Sequence, residues 1–387
     1  IRNLKINLNA SRMISRARRI QYMYAGTPST QNGTFMMTTI SIRSAFEGMG
    51  SAADGYRSAS FERFCDALDL FRTRVQAQYE GVRYPAGTSM HGAVFNVANG
   101  DVDQYGSDVM IPAFLNTYTA MGGSSLNIFP TLARLLPNWN LRYSGLGKLP
   151  WFREHFKSVN INHGYKSIYA VGAYASYNTF VEYMDGLGFI SDVTTGNPLP
   201  RSMFNVANVS INEAFSPLLG VDVTFNNNLK VEYRSTRVLN LSMTSVQINE
   251  AVSRDWVAGM SYRINNFKLF GLTASRAKKS KNKRSDANNN ASENNSRGNT
   301  NHDLNMRLDL SYRQQASISR DIASRTSTAS SGNKAFKMSF SADYTLSRLL
   351  TMSFYYDRQT NTPLLSSNSY PTTTQDFGLS LKFSLTR

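Results

Sequence analysis

Strict alternation of apolar and polar side chains, held over long runs, most limits what this chain can fold into. The last run, "DFGLSLKFSLTR", sets Phe377, Leu379, Leu381, Phe383 and Leu385 on one phase, and Gly378, Ser380, Lys382, Ser384 and Thr386 on the other. Successive side chains leave a strand on opposite sides, so period two means a strand with one apolar and one polar face. The pattern recurs in "WVAGMSYRI" (256–264), "LNMRLDLSY" (304–312), "AFKMSFSADY" (335–344) and "LLTMSFYYD" (349–357). A water-soluble β-sandwich also alternates, but ordinary strands average about 5–6 residues and these run past that. Aromatic residues gather toward the expected strand ends, at Trp139, Trp256 and Tyr355-Tyr356. That placement suits the aromatic girdle of a transmembrane β-barrel.

The fold class expected is therefore all-β, with about eleven antiparallel strands of a very large transmembrane barrel. They fall near 3–20, 33–45, 138–147, 157–180, 205–225, 229–247, 253–270, 303–318, 333–345, 348–359 and 374–387. Tight turns at 226–228 and 344–347 mark one rim, and long connections at 184–204, 319–332 and 360–373 mark the other, which is the habit of outer-membrane barrels. Arg142, Lys230, Arg234, Arg263, Arg307, Lys337 and Lys382 fall on the polar phase. There they would face a water-filled lumen and set its selectivity. Arg237 falls on the apolar phase, implying a bulge or a strand end beyond the membrane.

Two segments interrupt the strands. Residues 46–137 carry helical spacing: Phe61, Phe64, Leu68, Phe71, Val75 and Tyr79 recur at i, i+3/i+4, with Ser60 as the N-cap. Pro112 and Pro130 are placed to open two short helices, "PAFLNTYTAM" and "PTLARLL". Residues 272–302, rich in Lys, Arg, Asn and Ser, cannot bury enough apolar surface to order themselves and are expected as a disordered basic loop. The chain thus divides into strands over 1–45, a helical insertion over 46–137, strands over 138–271, the basic loop over 272–302, and terminal strands over 303–387.

Chemistry is scarce. The net charge of +16 invites a nucleic-acid partner, but the basic tract 275–284 contains no aromatic residue to stack on bases. The four histidines, His91, His155, His163 and His302, have no ligand spacing, and one cysteine, Cys65, excludes an internal disulfide. Cys65 sits beside the helical stripe and reads as packed rather than reactive. Glu213 and Asp222 would lie on opposite faces of one strand. No catalytic set, metal or cofactor is expected. No apolar run reaches the roughly 18 residues of a spanning helix. The chain opens on Ile1 in a strand-like stretch, which reads as a piece of a longer protein.

Several stretches resemble the C-terminal part of the SprA/Sov family, the outer-membrane translocons of the Bacteroidetes type IX secretion system. They are "YRSTRVLNLSMTSVQINEAVSRDWVAGMSYRI", "FSADYTLSRLLTMSFYYDRQTNTPLLSSNSYPTTTQDFGLSLKFSLTR", "SINEAFSPLLGVDVTF", "DVMIPAFLNTYT" and "NWNLRYSGLGKLPWFREHFKSVNINHGYKSIYAVGAY". The resemblance covers the chain in order and is weakest over 275–302. It implies one very large barrel, set in outer-membrane lipid, through which folded cargo carrying a C-terminal sorting domain leaves the periplasm. It implies a role in gliding motility in species that glide. A plug protein and a PorV-type shuttle barrel are the implied partners, and nucleic acid is not among them. "DFGLSLKF" resembles the terminal assembly signal of such barrels, with Asp376, Gly378, Leu381 and Phe383 in its signal positions. The alternatives are a TonB-dependent-like or porin-like small-solute transporter, and a membrane-embedded hydrolase, which the placement of His163 on the apolar phase disfavours.

Overall fold

The computed structural model describes residues 3–20, 22, 29–95, 102–121, 123, 125–184, 187–265, 267, 302–346, 350–365 and 370–384. The expected basic loop lies almost wholly outside the described residues. In chain order the strands are β1 (Leu4–Asn9), β2 (Arg12–Arg19), β3 (Thr30–Thr38), β4 (Asn138–Tyr143), β5 (Phe156–Ser176), β6 (Val181–Met184), β7 (Leu187–Ser191) and β8 (Pro198–Ser202). They continue as β9 (Phe204–Phe225), β10 (Lys230–Met243), β11 (Gln247–Ile264), β12 (Leu304–Asp321), β13 (Ser327–Thr345), β14 (Leu350–Pro363) and β15 (Thr372–Phe383). The helices are α1 (Ile42–Ala45), α2 (Ala59–Tyr79), α3 (Ser107–Tyr118) and α4 (Pro150–His155).

Twelve strands form one antiparallel sheet, and β6, β7 and β8 form a small second one. The twelve occupy ten lanes. β5 pairs with β3 along its upper half and with β4 along its lower half, so β3 and β4 lie end to end in one lane. β2 and β1 share the next lane, one beside each. The single strand expected over 3–20 is thus two, changing partner at Ala10-Ser11. The count of eleven does not stand. Residues 33–45 and 138–147 were separate strands only in sequence. In space one lane is made from both, and the helical insertion leaves from its middle. Among the described residues the sheet is open, with β1/β2 and β15 as its edges.

Several strands outrun their alternation. The long loop expected over 319–332 is instead the end of β12, a tight turn and the start of β13, closed by Asp321 and Thr326 backbone atoms at 2.8 Å. "STASSGN" pairs with β12 except at Ser330, where the register shifts, and it carries no large apolar side chain, so pattern alone did not show it. The loop expected over 184–204 holds β7 and β8. They dock on α2, where the Tyr79 hydroxyl donates to the Gly188 carbonyl at 2.9 Å and Phe189 packs on Tyr79 and Tyr84.

The insertion builds the main core. Its α2 stripe of Phe61, Phe64, Leu68, Phe71, Val75 and Tyr79 is buried as the spacing requires. The N-cap is Ser58 rather than Ser60, because Ser58 is extended and its Oγ accepts from Phe61 N at 3.2 Å. Ser60 is turned inward onto Glu47. Pro112 lies inside α3 rather than at its start, the helix having begun at Ser107, and Pro130 precedes only a single 3-10 turn at Leu132–Arg134. Cys65 is buried. The stripe packs against Leu239, Leu241, Met243, Ile248, Val252 and Ile318 of the sheet in one continuous cluster. Burying side chains of this size contributes about 1.5–3 kcal/mol each, which fixes the insertion to the sheet.

Candidate functional site

The sheet has two faces of different chemistry, and register defines both. On one face a single row crosses seven strands: Val223, Val231, Met260, Leu308, Phe340, Tyr356 and Phe377. It is the middle of an apolar band that spans Trp256–Ile264 on β11, Leu304–Tyr312 on β12 and Phe336–Tyr344 on β13. Nine residues per strand match the roughly 9–11 that a tilted strand needs to cross hydrocarbon. The band's upper border is level across β11 to β13 and drops at β14, an average descent of about one residue per strand from β11 to β15. Phe336 pairs with polar Thr360, and the apolar run on β14 begins only at Tyr356, four residues lower. Where strands about 4.8 Å apart tilt by ~45°, a level line steps by roughly one to one and a half residues per strand. A slope of this kind is what a flat external layer imprints on tilted strands. The band is most exposed on the edge strand β15, with Phe377, Leu379, Leu381 and Phe383 each above 60%, and Met260, Tyr312, Phe336 and Phe354 are exposed on the inner strands.

Aromatic rings bound the band above and below. Trp256, Tyr312 and Phe336 share its top row, with Trp256 stacked on Tyr312 at 5.6 Å. The tier continues across the sheet as Trp139, Tyr165 and Phe215, at centroid distances of 4.4 and 4.8 Å. Below, Trp151 of α4 meets Phe156, and Phe156 meets Phe225 at 4.8 Å. Trp256 and Tyr355-Tyr356 are therefore not at strand ends, as the sequence pattern suggested. The strands continue well past the band, so its border falls at mid-strand.

The opposite face carries charge in rows of alternating sign. One row reads Asp222, Glu232, Gly259, Asp309, Ser339, Asp357 and Asp376. Two residues further up the strands, the next row reads Lys5, Arg142, Asn162, Gly220, Arg234, Val257, Ser311 and Lys337. Two residues down lie Lys230, Ser261, Arg307 and Ser341. Adjacent rows pair locally: Arg307 Nε donates to Asp309 Oδ2 at 2.6 Å, and Asn162 Nδ2 to Asp222 Oδ2 at 3.1 Å. All seven cations singled out in the sequence, Arg142, Lys230, Arg234, Arg263, Arg307, Lys337 and Lys382, lie on this face. Of the assembly-signal residues, Asp376 and Gly378 lie on it, while Leu381 and Phe383 lie on the apolar face. Gly378 has a local reason: a Cβ there would sit 2.6 Å from the Tyr355 ring, which lies across it from β14.

Above the band, the same apolar phase stops facing outward and holds the insertion. Three arginines from adjacent strands make the attachment, and sequence reading identified only one as unusual. Arg237 of β10 and Arg254 of β11, opposite each other in register, both donate to the Glu47 carbonyl. Arg320 of β12 is fully buried, pairs with Glu250 at 2.8 Å and donates to the Tyr56 carbonyl at 2.6 Å. The Glu47 carboxylate in turn accepts from Ser58 and Ser60, ahead of and within the first turn of α2. The bulge expected at Arg237 is present in the β9–β10 pairing, where the register shifts between Ser235 and Arg237 with the extra residues on β9, and Arg237 sits on the apolar phase because its partner is a protein carbonyl. The signal for the other two was available, since Arg254 and Arg320 also interrupt an apolar phase just beyond a band. Glu213 follows the same rule, accepting from the Tyr165 hydroxyl at 2.7 Å, with Asp222 on the opposite face.

Among the described residues, no three His, Cys, Asp or Glu side chains converge as a metal site, and no helix is long and apolar enough to cross a membrane. The fold defines a mostly β protein organised on one large antiparallel sheet, with an apolar band on one face and charged rows on the other. The chain matches no family model, and no curated protein matches it in sequence.

Proposed function

We propose that the sheet is wall of a transmembrane β-barrel in an outer membrane, and that the protein conducts folded proteins out of the periplasm as a type IX translocon of the SprA/Sov kind. The observation that carries the membrane reading is the sloping nine-residue apolar band, backed by a face of Asp, Glu, Lys and Arg. An Arg or Lys facing lipid at the midplane costs about 2–4 kcal/mol. The charged face therefore belongs to a water-filled lumen and the band to lipid. The translocon reading adds the sequence resemblance, and the two free edges support it, since a larger barrel would continue the sheet from them. Cargo with C-terminal sorting domains, a plug protein and a PorV-type shuttle barrel are then the partners, and gliding is the dependent behaviour in gliding cells. Depletion in the producing bacterium should trap such cargo in the periplasm. Normal surface display after depletion overturns the reading.

One observation favours a porin-like alternative. Ten lanes is an even number, and β1 and β15 run in opposite directions, so the sheet could close on itself as a small barrel. A cysteine at Asn7, scanned against cysteines along β15, separates the two. A disulfide across that seam supports a narrow solute pore, and its absence from assembled protein supports a wider wall.

A further inference from the structure

The helical insertion and the apolar band share one face of the sheet. On β10 the apolar phase runs from Val231 and Tyr233 in the band to Leu239, Leu241 and Met243 beneath the insertion, without changing sides. On β12 it runs from Leu304 through Tyr312 to Ala316, Ile318 and Arg320 in the same way. If the band meets lipid, the insertion stands outside the barrel, above the bilayer, rather than in the lumen as a plug.

The strand expected over 33–45 ends at Thr38, so the insertion begins earlier than expected and its first helix is α1. Ser41 anchors it to the upper aromatic tier: its N–H donates to the Tyr165 hydroxyl at 2.8 Å, and its Oγ lies 2.7 Å from Ser167 Oγ. Phe46, just past the helix, packs on Phe215 at 5.4 Å with the Arg237 guanidinium 5.2 Å over its ring. Ile42 and Phe46 are one turn apart, so they share a face. Both are exposed, at 37% and 55%. Phe46, packed on Phe215 of the border tier, and Ile42, one turn away on the same face, extend the apolar surface of the band.

We propose that α1 is a membrane seat: Ile42 and Phe46 enter the headgroup–acyl boundary of the leaflet facing the insertion, and hold it against the bilayer outside the pore. Aromatic and apolar side chains at that depth match the chemistry of an interfacial lipid surface. The inference rests on the membrane reading above, and the test separates the two. Nitroxide labels are placed singly at Ile42→Cys, Phe46→Cys, Leu379→Cys and Lys337→Cys in the whole protein with Cys65→Ser, in outer-membrane vesicles. Accessibility to oxygen and to a water-soluble nickel chelate then reports depth. The label at 379 is expected to favour oxygen, that at 337 the chelate, and those at 42 and 46 to be oxygen-favoured but shallower than 379. If 379 lies in hydrocarbon while 42 and 46 are as open to chelate as 337, the seat alone is overturned. If 379 is itself open to chelate, the membrane reading falls and the seat with it. The position 42 label keeps the test valid where a label at 46 disturbs Phe215.

Discussion

Phe340 and Ser339 are neighbours on β13 with opposite surroundings, so one substitution placed at each tests the assignment of faces. Phe340 lies between Leu308 and Tyr356 in the central row of the band, 6.2 Å from the Phe354 ring. Ser339 lies between Asp309 and Asp357 in the acidic row. Phe340→Arg puts a charge near the midplane at a cost of about 2–4 kcal/mol. It also removes an aromatic pair worth about 0.5–1.5 kcal/mol, for a total of about 2.5–5.5 kcal/mol. At about 1.4 kcal/mol per decade, the folded-to-unfolded ratio falls by roughly two to four decades. Ser339→Arg sets a cation between two carboxylates, each cross-strand pair stabilising by roughly 0.2–1 kcal/mol. The readout is the heat-modifiable fraction in purified outer membranes and its urea midpoint. Phe340→Arg should lower both and Ser339→Arg should leave them equal or higher. The reverse order, or a difference under about 0.5 kcal/mol, refutes the assignment of lipid and water to these faces.

Arg320→Ala should leave the partly buried Glu250 without its partner, at a cost up to the ~3–5 kcal/mol of a fully buried pair. The expected outcome is protease cleavage within 46–137 while the strands stay intact, and Arg320→Met with Glu250→Gln should restore much of the resistance. Burial raises the Asp108 carboxyl above its ordinary range, with Arg201 at 3.8 Å pulling it back. The folded insertion therefore holds that proton more tightly than the unfolded chain does. Its contribution is fully present below the unfolded value of about 3.9 and is lost as pH rises toward the raised one. Asp108→Asn should abolish this loss of protease resistance as pH rises above about 4; the same pH dependence in wild type and variant refutes it. The Cys65 thiol, pushed up to about 11 by burial, should resist maleimide at pH 8 in the folded protein and react once unfolded. Gly378→Ala should displace the Tyr355 ring and lower assembly, with Tyr355→Ala restoring it. Failure of that rescue would mean the glycine is read by assembly machinery rather than required for packing.

Alternation alone settled that the chain is β, where most strands lie and which side chains share a face. The reason is geometric: with a period of two, each face is written directly into the sequence wherever the two faces meet different surroundings. For that reason β12 to β15 were legible through their lower halves, and the seven cations could be set on one side. The helical stripe of α2 was legible for the same kind of reason at its own period. Where both faces meet polar surroundings or protein, the signal fades, and the upper end of β13 read as loop. Only the tertiary structure put β3 and β4 in one lane, because hydrogen bonding to β5 joins segments that the insertion separates by about a hundred residues of chain. Only register turned scattered charges into rows of alternating sign. And only packing explained Arg237, Arg254 and Arg320, since a charge on an apolar phase acquires meaning from the carbonyl or carboxylate that covers it, and those partners lie far away in sequence.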